Sequence, residues 1–230
     1  MRFGHHPAVH ELAPDLHAGV IRIDGIRPDV DASPLLPPLY DRARNRLAAG
    51  SEGEFPEIQA WRRTFAKMGL KPTQYRCAAE ALLRRFRKED SLPSIHPLID
   101  LYNAMSLAWA TPIAAFDVAN VEGDLIVRPA TGTERYLTFG GEDETPEPGE
   151  IVFADDGGYA HARRWSNRQS GRSAIRPETT SVLLVAEAVH PGSETSIPAL
   201  TQELADALET LWGTSATTAL LSAATPEFAE

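Results

Sequence analysis

The chain has 230 residues, 43% of them hydrophobic, and a formal net charge of −10. That is enough to bury the core of one large domain, while no apolar run approaches the roughly 20 residues needed to cross a bilayer. A single cysteine, Cys77, excludes an internal disulfide and any multi-cysteine metal site, and with no apolar stretch of secretory type a cytoplasmic setting is expected. Net acidity argues against a nucleic-acid partner, but the basic residues are segregated. Nine Lys or Arg stand against three acids between Trp61 and Asp90, and five Arg with no acid lie between Ala160 and Arg176. Two readings stay open: a phosphate-binding face on an acidic protein, or two ordinary solvated faces.

In chain order, residues 1–14 read as a loose lead-in with three histidines, His5, His6 and His10, and no further metal ligand at a useful spacing. Residues 15–24 alternate enough for a strand. Residues 39–49 and 57–68 read as helices, stopped by Gly50 and by Gly69 with Pro72 beyond. Thr73 is placed to cap a third helix over 74–88, with Ala78, Leu82, Leu83 and Phe86 as its apolar stripe. Arg84, Arg85, Arg87 and Lys88 gather in its last turns, where they also suit the negative end of the helix dipole.

The stretch 95–117 has almost no charge yet carries Asp100, Asn103, Ser106 and Asp117. Buried polar groups cost a few kcal/mol, roughly, unless hydrogen-bonded. This is therefore either the wall of a lined pocket or a buried helix, over 98–109, whose polar groups cap and bond the backbone. Strands are predicted over 125–129, 134–141 and 151–154, the last turning at Asp155-Asp156-Gly157-Gly158 into a hairpin partner over 159–165. Residues 166–177 read as a loop and 179–189 as a buried strand whose one charge is Glu187. A final helix begins near Ser196 and ends at Gly213, leaving 214–230 as a flexible tail behind a single domain over 1–213. Strands and helices mix without a regular βαβ rhythm, so the fold class is α+β.

No phosphate-binding loop, dinucleotide fingerprint, zincin motif or nucleophile elbow is present. A catalytic role for Cys77 is disfavoured, since no histidine lies near it in sequence; His96 and His161 are more simply structural. The segment from His161 to Ser170 combines arginines that bind phosphate, a tryptophan that stacks or walls a pocket, and neutral hydrogen-bonding side chains. It suits a nucleotide-bearing ligand.

These residues match something known. The run Asp100-Leu101-Tyr102-Asn103, then 112–117, Gly123, Val127 to Ala130, and Gly132 to Glu134 resembles the B3/B4 editing domain of the phenylalanyl-tRNA synthetase beta subunit. Segments 163–170 and 179–187 are similar to free-standing bacterial versions of that domain, and the resemblance covers roughly residues 10–213. It implies a layered β-sandwich flanked by helices, hydrolysis of mischarged tRNA, and a stand-alone deacylase acting in trans, one known branch of which removes canavanine from arginine tRNA. No cofactor or metal is implied.

Carried over residue by residue, Asn103 matches the Asn of the synthetase motif, while Tyr102 stands where the synthetase has Thr and Ala114 where it has a pocket His. Glu187 corresponds, displaced along the strand, to the Glu that reads the tyrosine hydroxyl. The resemblance thus assigns Asn103, Ser106, Asn167, Gln169 and Ser170 to positioning ester and water. Tyr102, Ala114, Arg163, Trp165, Arg168 and Glu187 are assigned to the substrate pocket. Arg62, Arg63, Lys67, Lys71, Arg84, Arg85 and Arg87 are assigned to the partner, a mischarged tRNA. Canavanyl-tRNA(Arg) is the preferred substrate, tyrosyl-tRNA(Phe) an alternative, and a tRNA-binding protein without activity the competing reading.

Overall fold

The segment Ser181–Ala188 is apolar at nearly every position, so as a strand it needs a layer against each face. It has both. The protein's structure, a computed structural model, describes residues 1–229. In chain order its elements are β1 (Arg2–His5), α1 (Pro7–Leu12), β2 (His17–Asp24), α2 (Leu36–Ala49), α3 (Pro56–Lys67), α4 (Ala78–Glu89) and α5 (Pro97–Trp109). There follow β3 (Ile113–Asp117), β4 (Leu125–Pro129), β5 (Tyr136–Leu137), β6 (Asp143–Glu144), β7 (Ile151–Asp155), β8 (Ala160–Arg163), β9 (Arg168–Gln169), β10 (Ser181–Ala188), α6 (Ser193–Trp212), β11 (Thr217–Leu221) and β12 (Glu227–Ala229). The fold is α+β.

β10 sits inside a four-stranded antiparallel sheet of order β11-β2-β10-β3. Its alternation sends Leu183 and Val185 into a core shared with Phe3, Val127 and Phe153 of the second sheet. Val182, Leu184 and Ala186 go to a separate core with Leu98, Leu101, Leu200 and Leu204 of α5 and α6. The second sheet has six strands, β12-β1-β4-β7-β8-β9, antiparallel except where β1 runs parallel to β4. Sheet packs on sheet and helices cover the far face, so each apolar face is buried. α3 and α4 close the first core with Trp61, Phe65, Leu83 and Phe86.

Both ends of the chain correct the sequence reading. The lead-in is a strand and a short helix: β1 pairs on both sides, and His6 caps α1 by accepting the Ala8 N–H through Nδ1 at 3.2 Å. The tail contributes β11, which extends the sheet beside β2, and β12, which buries Phe228 against β1. Other boundaries shift for local reasons. Residues 71–77 form a turn instead of the first turn of α4, with the N–H groups of Gln74 and Tyr75 both donating to the Lys71 carbonyl. Strand 134–141 shrinks to Tyr136–Leu137 because Glu134 folds back onto its own loop, accepting from the N–H of Thr131, Gly132 and Thr133. Among the described residues no helix is long and apolar enough to cross a membrane.

Candidate functional site

Between the two sheets, at the end of β10, lies a cavity of about 60 Å³. Its walls are mainly apolar, from Ala114, Phe153, Ala162 and Val185, and its polar groups are Ser166, Asn167, Arg168, Gln169 and Glu187, with Trp165 beside them. Glu187 is 3% exposed, and its Oε1 receives the Trp165 indole N–H at 3.0 Å and lies 2.8 Å from His5 Nε2. Both contacts fall on one oxygen. Among the described residues Oε2 has no hydrogen-bond partner, which leaves it as the acceptor for whatever enters.

The turn joining β8 to β9 carries most of the polar lining. Arg164 and Trp165 both adopt left-handed backbone, φ 48° and 56°, a conformation that costs a non-glycine residue about 1 kcal/mol or more. Surrounding contacts hold it: the Trp165 N–H donates to the Ile151 carbonyl at 2.7 Å, the Arg164 N–H to Glu150 at 3.0 Å, and the Trp165 ring meets Trp61 edge-on at 5.1 Å. The turn is also tied to α4, since Ser166 accepts the Ala78 N–H at 2.7 Å and Asn167 Nδ2 donates to the Arg76 carbonyl at 2.7 Å. Gln169 Nε2 donates to the Ala115 carbonyl at 2.5 Å. With both amide nitrogens fixed on backbone, Asn167 Oδ1 and Gln169 Oε1 are the free ends of these side chains. They are acceptors with no base among them.

Of the residues picked from sequence, Ala114, Trp165, Asn167, Arg168, Gln169 and Glu187 converge on this cavity. The others do not. Tyr102, Asn103 and Ser106 ride on α5, whose Leu98, Leu101, Ala104 and Met105 pack with Ile113, Ala115 and Leu184 on the outer face of the four-stranded sheet. Ser106 is used locally, donating to the Thr111 carbonyl at 2.7 Å, and burial pushes the Tyr102 hydroxyl up. Asp100 accepts from the Ile95 N–H, and Asp117 from the Ala119 N–H and the Thr179 hydroxyl. Asp100, Ser106 and Asp117 thus follow the bland reading of that stretch. Arg163 is buried in a clamp with Glu144 and Glu150 at 2.6 and 2.8 Å, and Ser170 donates to the Leu137 carbonyl.

The basic segments are largely neutralised by acids, some within them and some from elsewhere. Arg62 pairs with Glu80 at 2.6 Å, Arg84 and Arg87 with the buried Glu52 at 3.2 and 3.1 Å, and Arg85 with Glu89 at 2.9 Å. Lys67 donates to the Leu12 carbonyl. Arg63, Lys71 and Lys88 are exposed and, among the described residues, carry no ion pair. A larger groove of about 560 Å³ meets the same turn at Arg164, whose guanidinium lies 4.8 Å from the Tyr75 ring; Lys67 and Glu147 also line it.

Two nucleophile candidates are removed by burial. The Cys77 thiol is pushed up to about 12, chiefly by desolvation, so the reactive thiolate is suppressed. Ser173, His161 and Asp155 stand in hydrolase order, with His161 Nδ1 2.8 Å from the Ser173 hydroxyl and Nε2 2.9 Å from Asp155. Ser173 and His161 are wholly buried. The trio fastens the β7–β8 hairpin to the following loop. His5 is the residue of the site that the sequence reading missed.

Residues 60–204 match the B3/4 domain family. The phenylalanine–tRNA ligase beta subunit of Cutibacterium acnes is 34% identical over 91 residues, which is 39% of this chain and 10% of that subunit. The corresponding subunit of Anaeromyxobacter dehalogenans is 36% identical over 106 residues, 45% of this chain and 13% of the subunit. The matched stretch is therefore about a tenth of the length of these relatives. An N-terminal fragment of the phenylalanyl-tRNA synthetase beta subunit from Pyrococcus horikoshii superposes with a TM-score of 0.49 at 9% identity, covering 94% of this chain and 49% of the fragment. With the family match running over the greater part of the sequence, this chain belongs to the B3/4 domain family.

Proposed function

We propose that the chain is an aminoacyl-tRNA deacylase acting in trans, which hydrolyses the ester between a mischarged amino acid and its tRNA. The observation that carries this reading is the cavity itself: apolar in its walls, and lined at its end by Glu187, whose Oε1 is held by Trp165 and His5. Such a site suits the end of an amino-acid side chain, with the tRNA outside. Its chemistry selects a side chain that ends in an N–H or O–H donor. Canavanine fits, and canavanyl-tRNA(Arg) is the first candidate; tyrosyl-tRNA(Phe) meets the same requirement. The carboxylate alone does not favour canavanine's weakly basic guanidine over arginine's fixed charge, so that choice falls to the assay.

An aminoacyl ester is already activated, and positioning supplies much of the needed rate. A water donating to Asn167 Oδ1 and Gln169 Oε1 turns a lone pair toward the ester carbonyl. Its oxygen bonds to the carbonyl carbon, the ester C–O bond breaks, and one water proton ends on the released ribose hydroxyl. The Arg168 guanidinium, at the cavity wall and paired with Glu144 at 3.1 Å, is the cation that would meet the charge developing on the carbonyl oxygen. Lys67, Tyr75 and Arg164 in the adjoining groove, with exposed Arg63 and Lys71, suit a stacked base and phosphates.

A second reading has one observation in its favour. Among the described residues no Asp, His or Cys lines the cavity, as expected for a tRNA-binding protein of the family without activity. A panel of mischarged tRNAs separates the two: deacylation of at least one above the buffer rate supports the enzyme, and none above it leaves the binding protein.

A further inference from the structure

His5 lies in a segment with no sequence signal for function, yet it is held more firmly than most of the site. Its strand pairs with β4 and β12, its own N–H donates to the Pro226 carbonyl at 3.1 Å, and the next residue's N–H donates to Val127 at 2.9 Å. Gly4 permits this, because a Cβ there would stand 2.9 Å from the Pro226 carbonyl. The imidazole is wholly buried, edge-on to Phe3 at 5.4 Å and to His10 at 5.6 Å. Among the described residues Nδ1 has no partner, so the polar contact of the ring is Nε2 to Glu187 Oε1.

We infer that His5 is the positioning residue of this pocket: with the Trp165 indole it pins Glu187 Oε1, and so turns Oε2 into the cavity as the acceptor that selects the substrate side chain. The inference rests on the deacylase reading for its substrate and on geometry for everything else. A buried glutamate carboxylate with two torsions beyond Cα–Cβ can present either oxygen, or neither, to a neighbouring cavity. Two donors arriving at one oxygen from separate parts of the six-stranded sheet, β1 and the β8–β9 turn, remove that freedom. The indole alone leaves the carboxylate free to rotate about its single N–H···O contact. The β1–α1 segment, which lines none of the cavity, is thereby part of the specificity apparatus.

Glutamine and asparagine at position 5 test this in the full chain. A glutamine amide reaches about as far as Nε2, whereas an asparagine amide stops near Nδ1. The two are alike in polarity, so a merely structural role does not distinguish them. His5→Gln is expected to keep KM for a donor-ended aminoacyl-tRNA. His5→Asn is expected to raise it about tenfold, the weight of one hydrogen bond to a carboxylate, with kcat nearly unchanged. The ¹H–¹⁵N resonance of the Trp165 indole, assigned by its loss in Trp165→Phe, is expected to move in His5→Asn and to stay in His5→Gln. Both variants behaving alike, whether like the wild type or unlike it, overturns the inference. If the wild type deacylates no tRNA, the deacylase reading fails, while the indole resonance still decides the role of His5.

Discussion

Replacing Glu187 with glutamine probes the cavity with the least disturbance to its walls. The variant's Oε1 can still accept from the Trp165 indole and from His5, now 3.0 and 2.8 Å from the carboxylate oxygen. Its amide NH₂ then replaces Oε2 as the group facing the cavity. A substrate side chain ending in a donor loses a hydrogen bond to a carboxylate and meets a second donor instead. Loss of a charged hydrogen bond with a donor left unpaired amounts to about 3 kcal/mol, or roughly 150-fold in kcat/KM. Folding changes little, by about 1 kcal/mol or less, because both buried contacts survive. Single-turnover deacylation of a donor-ended aminoacyl-tRNA beside an apolar one reads the effect as a change in their ratio. An unchanged ratio, or an equal fall on both substrates, refutes the assignment of Glu187 as the group that reads the side chain.

Trp165→Ala removes a fully buried ring packed on Trp61, and a loss of about 3 to 5 kcal/mol is expected in urea unfolding. The Glu134 carboxyl is held down to about 2: burial opposes this, and hydrogen bonds from the Thr131 N–H and from Arg128 outweigh it. Because its pKa is depressed in the folded protein, its contribution is present above the usual value of 4.5 and is lost as pH falls toward 2. Wild type should lose about 2 to 3 kcal/mol across that window, and Glu134→Gln should flatten this acid limb in a series of denaturant titrations. Arg63→Gln with Lys71→Gln should lower the slope of log affinity for tRNA against log salt by about 1 to 2, with the thermal midpoint unchanged. Arg84→Gln with Arg87→Gln, by contrast, strips the buried Glu52 of both cations and should lower that midpoint.

The middle of the chain was legible because its elements are periodic and locally punctuated. Residues 125–129 form a strand with the bounds their apolar run gives, and Gly213 caps α6 in left-handed backbone as its position implies. The 163–170 segment reads as chemistry from composition alone, and five of its residues line the cavity. The polar side chains of 95–117 misled for a physical reason: a cap, an Asx turn and a pocket wall all put Asp, Asn or Ser among apolar residues. Only the fold shows which partner each one finds. β1 and β12 were illegible because each is short and stabilised by pairing across the chain, Arg2 opposite Ala229. The His5–Glu187 contact spans 182 residues and leaves no local pattern at all. The basic clusters failed similarly, since Glu52 and Glu144, which neutralise them, lie outside both segments.

The central claim is that this cavity holds the side chain of an amino acid while its ester to tRNA is hydrolysed. It is tested most directly by measuring deacylation of canavanyl-tRNA(Arg), arginyl-tRNA(Arg) and tyrosyl-tRNA(Phe) by the wild type and by Glu187→Gln against the buffer rate. The account predicts hydrolysis of at least one mischarged tRNA well above buffer, and sharply reduced in the variant. Rates at the buffer level on all three, or rates indifferent to Glu187, contradict it.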